Sequence, residues 1–319
     1  MRDAIIITDD SLIYHRTWDA KSATHPLNGG DAARSPSLSC WIAPGSRFEW
    51  GHLATFAEVK MQGGKDNEKS SYIETADKAS CMLYAQDGRH AAPCIRILGS
   101  KIYFMIFDRG GSFSTCGYDI HQHPDKFLRI LIGLTSAPHN ILGFDISIKW
   151  GQKYRDGKLV EIKELTVEVD AITHTIEFTK VLFIADNLFG RGTTVWEGAM
   201  SKEGGVGIRQ VAVKDSWIDP LRKYTEGKIL SILNAHKIEG VPTLVHEQQV
   251  QTPYPSSIPD IMVNSSTHFL RTLLSQRKTG FYHLRVLSRI ITQPVGNPIT
   301  EFSCLGELLV AFLDYVVGK

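Results

Sequence analysis

Apolar and polar positions repeat in readable periods along most of the 319-residue chain. Leu53 to Lys60 is an apolar run closed by Gly63-Gly64, the mark of a buried strand. Over residues 69–90 the apolar positions Tyr72, Ile73, Ala76, Ala79, Met82 and Leu83 recur at helical spacing, and Gly88 is the stop. Cys94–Leu98 and Lys101–Asp108 read as a hairpin around Gly99-Ser100. Its second arm is apolar almost throughout, as a central strand is. Residues 123–137 predict a helix with Pro124 in its first turn and Phe127, Leu128, Leu131, Ile132 and Leu134 as its stripe. From Ile146 strands dominate: Val160–Val169, a turn at Asp170-Ala171-Ile172, then Thr173–Phe183. Gly204-Gly205 signals another hairpin, leading to the strand Val211-Ala212-Val213. Asp219 as N-cap and Pro220 at the first position open a helix to Asn234. A strand starts at Gly240–Leu244. Residues 252–280 carry three prolines and read as an insertion or long loop, with a short helix around His268–Leu274. A fifth strand and a hinge at Gln293–Pro298 follow. Residues 301–317 form an amphipathic helix, with Leu308, Leu309, Phe312, Val316 and Val317 on its buried side. Residues 1–35 show little periodicity and are expected to be a loosely packed lead-in, with a short strand at Ala4–Thr8.

The shift from mixed α/β to a β-meander places a domain boundary near 150–175. The expectation is an α+β chain: a lead-in over 1–35, a mixed α/β domain over 36–155, and a second domain over 156–319. Composition supports a packed core, with 43% hydrophobic and 22% charged residues. The net charge of +1 gives no global reason to expect a nucleic-acid or membrane partner. Cys40, Cys81, Cys94, Cys116 and Cys304 are scattered without C-x-x-C spacing. That speaks against a zinc site or a disulfide framework and fits a reducing compartment. The N-terminal apolar run is too short for a signal sequence, and no run approaches bilayer length. An intracellular protein, cytoplasmic or nuclear, is expected.

Three places in the N-terminal half could carry chemistry. Glu58 and Lys60 lie on one face of a strand, as in the E-x-K half of a restriction-endonuclease-like signature, where a carboxylate holds Mg²⁺. The second acid is missing: the expected position reads Ser35-Pro36-Ser37-Leu38. A strand-end ion pair is the plainer reading. Asp108-Arg109-Gly110-Gly111 could be a site, but a turn with a local salt bridge is the simpler account. His121 and His123 beside Asp119 lack a third distant ligand and read as solvated loop histidines.

The stretch from Phe189 to Trp217 organises the second half. Gly190-Arg191-Gly192 is a Gly-x-Gly turn, and glycines let backbone approach phosphates. Val195 would cover an adenine. The strand Val211–Val213 delivers Lys214, which would pair with α/β-phosphates. Glu226, in the next helix, is placed to orient that lysine through an ion pair. This is the layout of a protein-kinase nucleotide loop.

The ordered motifs G-R-G-T, V-K-D-S-W, R-x-x-x-E, G-V-P, H-x-R-V, G-x-P-I and E-L-L-x-A-F-x-D-Y-V resemble the fungal-type protein kinase family. So do E-V-K, Q-x-x-R (Gln86 to Arg89) and F-D-R-G-G upstream. The resemblance covers roughly residues 48–319. It implies a kinase-like N-lobe plus the first C-lobe helix. It gives ATP as the cofactor, with Gly190, Gly192, Val195 and Lys214 binding it and Lys214 and Glu226 as the catalytic pair. Mg²⁺ is implied too, but its ligands are missing. The sequence has no H-R-D base and no D-F-G aspartate. It stops at Lys319, where they would follow. The expectation is therefore a fragment, a truncated gene model or a degenerate copy that does not phosphorylate. The last helix would then leave apolar surface exposed. Two other functions stay open: a Mg²⁺-dependent nuclease around Glu58 and Lys60, and a non-catalytic interaction module. The partner, a protein or substrate, is unknown.

Overall fold

The structure is a computed structural model that describes residues 5–6, 16–43, 46–202, 207–253, 261–268, 271 and 282–317. Among the described residues two large sheets, a two-stranded ribbon and four α-helices make an α+β molecule. In chain order the first elements are β1 (Ile5–Ile6), β2 (Trp18–Asp19), β3 (Leu38–Trp41), β4 (Leu53–Lys60), α1 (Lys65–Ala85), β5 (Ala91–Leu98), β6 (Lys101–Asp108), β7 (Gly111–Ser114), β8 (Tyr118–Asp119) and α2 (Pro124–Ser136). Strands β2 to β7 pair in chain order, and β8 also pairs with β6, giving a seven-stranded sheet. Among the strands of this sheet β4 and β5 pair in parallel, with α1 as their crossover, and the other pairs are antiparallel. On one face α1 sets Ala79, Met82 and Leu83 against Leu53, Phe56, Cys94 and Phe107. On the other, Leu134 and Ala137 at the end of α2 meet Ala54, Ala57, Ile95 and Ile102. Burial on both faces explains why β4 reads as a continuous apolar run.

The second set is β9 (Ile148–Arg155), β10 (Lys158–Val169), β11 (Ile172–Ile184), β12 (Thr194–Lys202), β13 (Ile208–Ile218), α3 (Glu226–Ala235), β14 (Thr243–Gln249), β15 (Gln251–Pro253), β16 (Met262–Asn264), β17 (Val286–Gln293) and α4 (Leu305–Val317). An eight-stranded antiparallel sheet runs β1-β9-β10-β11-β12-β13-β17-β14. Its core is Leu165, Val167, Ile176, Trp196, Met200, Val211, Val213 and Ile291. Strand β17 inserts between β13 and β14, so the strand latest in sequence is an internal one, next to the edge strand β14. Among the described residues no helix is long and apolar enough to cross a membrane.

Several expectations need correction. The lead-in is not loosely packed over its described part: Leu27 joins the core, and buried Arg16 donates to Ala137 O at 2.6 Å. Helix α1 opens at Lys65, because its first turn is polar, with Asp66 and Glu68 suited to a helix N-terminus. Tyr72 and Ile73 are partly exposed, and Ser71 and Thr75 are buried instead. Gln86 ends the helix, its amide donating to Trp50 O and Leu53 O at 2.7 and 2.8 Å. On α2, Leu128 and Ile132 face solvent rather than the core. On α4, Leu309 at 67% and Val316 at 79% exposure are not buried. The expected apolar surface is therefore present there. Gly204-Gly205 and most of His268–Leu274 lie outside the described residues.

Candidate functional site

Register across the large sheet builds the site. Val195 on β12 stands opposite Lys214 on β13, Lys214 opposite Ile290 on β17, and Ile290 opposite Glu247 on β14. Directly opposed residues share a face, so these four side chains form one row. The neighbouring row, Thr194, Asp215 and Arg289, points to the other face. The first row is where Lys214 meets Glu226. The Lys214 ammonium donates to both Glu226 carboxylate oxygens at 2.7 Å. The lysine side chain is 28% exposed and the glutamate 45%, so the pair is reachable from solvent.

Glu226 reaches Lys214 from an unexpected place. Asp219 does not cap the helix; its Oδ1 accepts Leu221 N–H at 2.8 Å in a local turn. Helix α3 starts at Glu226, and Thr225 is the N-cap, its hydroxyl accepting Lys228 N–H at 3.2 Å. Gly227, the next residue, lies against the Glu247 carboxylate: a Cβ there would stand 2.4 Å from Glu247 Cδ. The missing side chain lets the first turn of α3 press onto β14. The carboxylate then sits at the positive end of the helix.

The glycines are not free. Gly190 has φ +112° and Gly192 φ +47°. Gly190 N–H donates to Arg109 O at 3.0 Å. A Cβ on Gly192 would stand 2.3 Å from Arg109 Nε. The loop continues the β12–β13 ladder, with Trp217 N–H donating to Arg191 O at 2.8 Å. The expected local salt bridge in the Asp108–Gly111 turn is absent. Asp108 instead bonds Arg271, whose Nη2 donates at 3.0 Å, and Arg109 donates to Asn187 O at 2.6 Å.

The face opposite Lys214 is gripped by the seven-stranded unit. Arg289, 0% exposed, donates to Asp215 at 2.6 and 2.7 Å and to Asp145 at 2.7 Å. His90 Nε2 lies 3.7 Å from Asp145. Burial pushes the Asp145 carboxyl up, but the Arg289 guanidinium outweighs it and holds the group well below the usual range. The Trp196 indole donates to Asp87 at 2.8 Å, and Lys163 meets Asp87 at 2.6 Å. Sequence reading missed this cluster. Its members are far apart in the chain, and no local motif marks them.

The N-terminal candidates resolve into structural contacts. Glu58, 3% exposed, accepts from buried Lys78 and from Ser37 Oγ at 3.1 Å. Ser37 thus occupies the place where a second metal-binding acid was sought. Lys60 donates to Glu74 at 2.7 Å, and this hydrogen bond is the main reason its ammonium is held above the usual range. Asp119 accepts backbone N–H groups from His121 and Gln122, and both histidines are exposed. Among the described residues no three His, Cys, Asp or Glu groups converge as a metal site.

A family model described as fungal protein kinase matches residues 43–319. No curated protein and no solved structure matches the chain.

Proposed function

The chain belongs to the fungal protein kinase family, and on that premise we propose that its eight-stranded sheet carries an ATP site built on Lys214. The observation that carries this reading is the two-oxygen contact of Lys214 with Glu226 at 2.7 Å on the half-open face of the sheet. Such a pair fixes a lysine that would otherwise sample many rotamers, and points it at the α/β-phosphates. Val195, opposite Lys214, supplies apolar surface for the adenine. Gly190 and Gly192 shape the loop beside it. When bound, ATP supplies the phosphoryl group.

Catalytic transfer also needs a base and a metal-holding aspartate. These 319 residues contain neither H-R-D nor D-F-G. The reading is therefore nucleotide binding without phosphoryl transfer by this chain. No protein ligand set for Mg²⁺ can be named among the described residues. The nuclease alternative is less well supported, because a cation at Glu58 would have to displace Lys78. An intracellular location goes with an ATP ligand, and a protein is the expected substrate or partner class.

Calorimetric titration with ATP tests the reading. Saturable binding is expected, with Lys214→Ala weakening it about tenfold or more, equivalent to roughly 1.4 kcal/mol. Equal binding by both proteins would remove Lys214 from the site.

A further inference from the structure

The nucleotide loop is held from outside its own sheet. Arg109 lies in the Asp108–Gly111 turn of the seven-stranded unit and is 4% exposed. Its Nη1 donates to Asn187 O at 2.6 Å and Leu188 O at 3.3 Å. Its own carbonyl accepts Gly190 N–H at 3.0 Å. Its Nε fills the space a Cβ on Gly192 would need, 2.3 Å away. No carboxylate is hydrogen-bonded to it among the described residues, since the neighbouring Asp108 is engaged by Arg271. Burial pushes its guanidinium down to about 10. A buried cation compensated by carbonyls is an expensive way to build a turn. Among the described residues the named hydrogen bonds of Arg109 outside the sheet fall on residues 187, 188 and 190, and Gly192 packs against its side chain.

In protein kinases the glycine loop covers the phosphates. An anchored loop needs less ordering on binding, and pre-organisation of this kind raises affinity. We propose that Arg109 is a positioning residue for the nucleotide, a clamp by which the seven-stranded unit presets the glycine loop beside Lys214. This rests on the ATP reading given above. It adds that the N-terminal unit takes part in nucleotide binding without touching the nucleotide. The two glycines are then required by Arg109 as well as by phosphate. Gly192 is the residue that admits the guanidinium.

The test uses the full chain. Amide hydrogen exchange of residues 187–192 is compared in wild type, Arg109→Ala and Arg109→Lys, beside titrations with ATP and with adenosine. Arg109→Ala is expected to speed loop exchange about tenfold or more and to weaken ATP about tenfold. Adenosine, which lacks phosphates, should change by less than about twofold. Arg109→Lys, which keeps the charge but not the fork, should fall between. A merely structural arginine would weaken both ligands alike, and that result overturns the proposal. Unchanged loop exchange overturns it too, as does tighter ATP binding in Arg109→Ala. If Arg109→Ala does not fold, the Lys variant alone decides by the same ratio. If wild type binds no ATP while the loop is released in the variants, the clamp stands and the ATP reading falls. Gly192→Ala gives an independent check. Its loss of thermal stability should be smaller with Arg109→Ala than with Arg109 present, and equal losses would count against the contact.

Discussion

At the scale of single residues, the buried Arg289 is the most exacting feature. It neutralises Asp145 from one unit and Asp215 from the other. Removing the cation strands two buried carboxylates, so Arg289→Met should cost about 3–5 kcal/mol in urea unfolding. The pH dependence follows from Asp145, whose carboxyl is depressed by Arg289 in the folded chain. A depressed acid contributes stability that is present above its unfolded pKa of about 3.9 and is lost as pH falls below it. Urea midpoints measured from about pH 6 to about pH 3 should fall more steeply in wild type than in Asp145→Asn. Parallel curves would show that Asp145 does not carry the linkage. The order and spacing of glycine loop, strand and helix pointed to Lys214 and Glu226 as a pair. They could not point to Arg289, because its partners lie 74 and 144 positions away.

At the scale of elements, the start of α3 decides the site. Asp219-Pro220 has the chemistry of a helix opening, yet the chain uses it for a turn and caps the helix with Thr225. The reason is packing. Gly227 must lie against Glu247, and this puts Glu226 in the first turn, facing Lys214. Thr225→Ala should destabilise the chain by about 1 kcal/mol, read as a lowered urea midpoint. It should also weaken ATP binding through Glu226. An unchanged midpoint would show the cap to be dispensable. Strand identities were largely readable, because alternation and apolar runs report burial directly. Boundaries set by polar turns, as at Lys65 and Glu226, were not.

At the scale of the molecule, two units meet along the back of the large sheet, and its Lys214 face, partly covered by α3, stays half-open. Helix α4 stands apart, with Leu305 at 71%, Leu309 at 67% and Leu313 at 60% exposure. Since these side chains bury little in the described structure, replacing them should cost little. Leu309→Glu with Leu313→Glu is expected to change unfolding stability by less than about 0.5 kcal/mol. It should lower hydrophobic-dye binding clearly. A large stability loss would mean that the helix is packed in solution.

The sequence by itself determined the α+β class, the longer strands and helices, and the expectation that Lys214 pairs with Glu226, because each depends on local periodicity or on short motif spacing. Only the tertiary structure decided that the glycine loop is clamped by Arg109, that Glu58 is occupied by Lys78, and that Asp145, Asp215 and Arg289 join the two units. These contacts link residues far apart in the chain. They are set by strand register and by which faces meet, and no local pattern of apolar and polar positions encodes either.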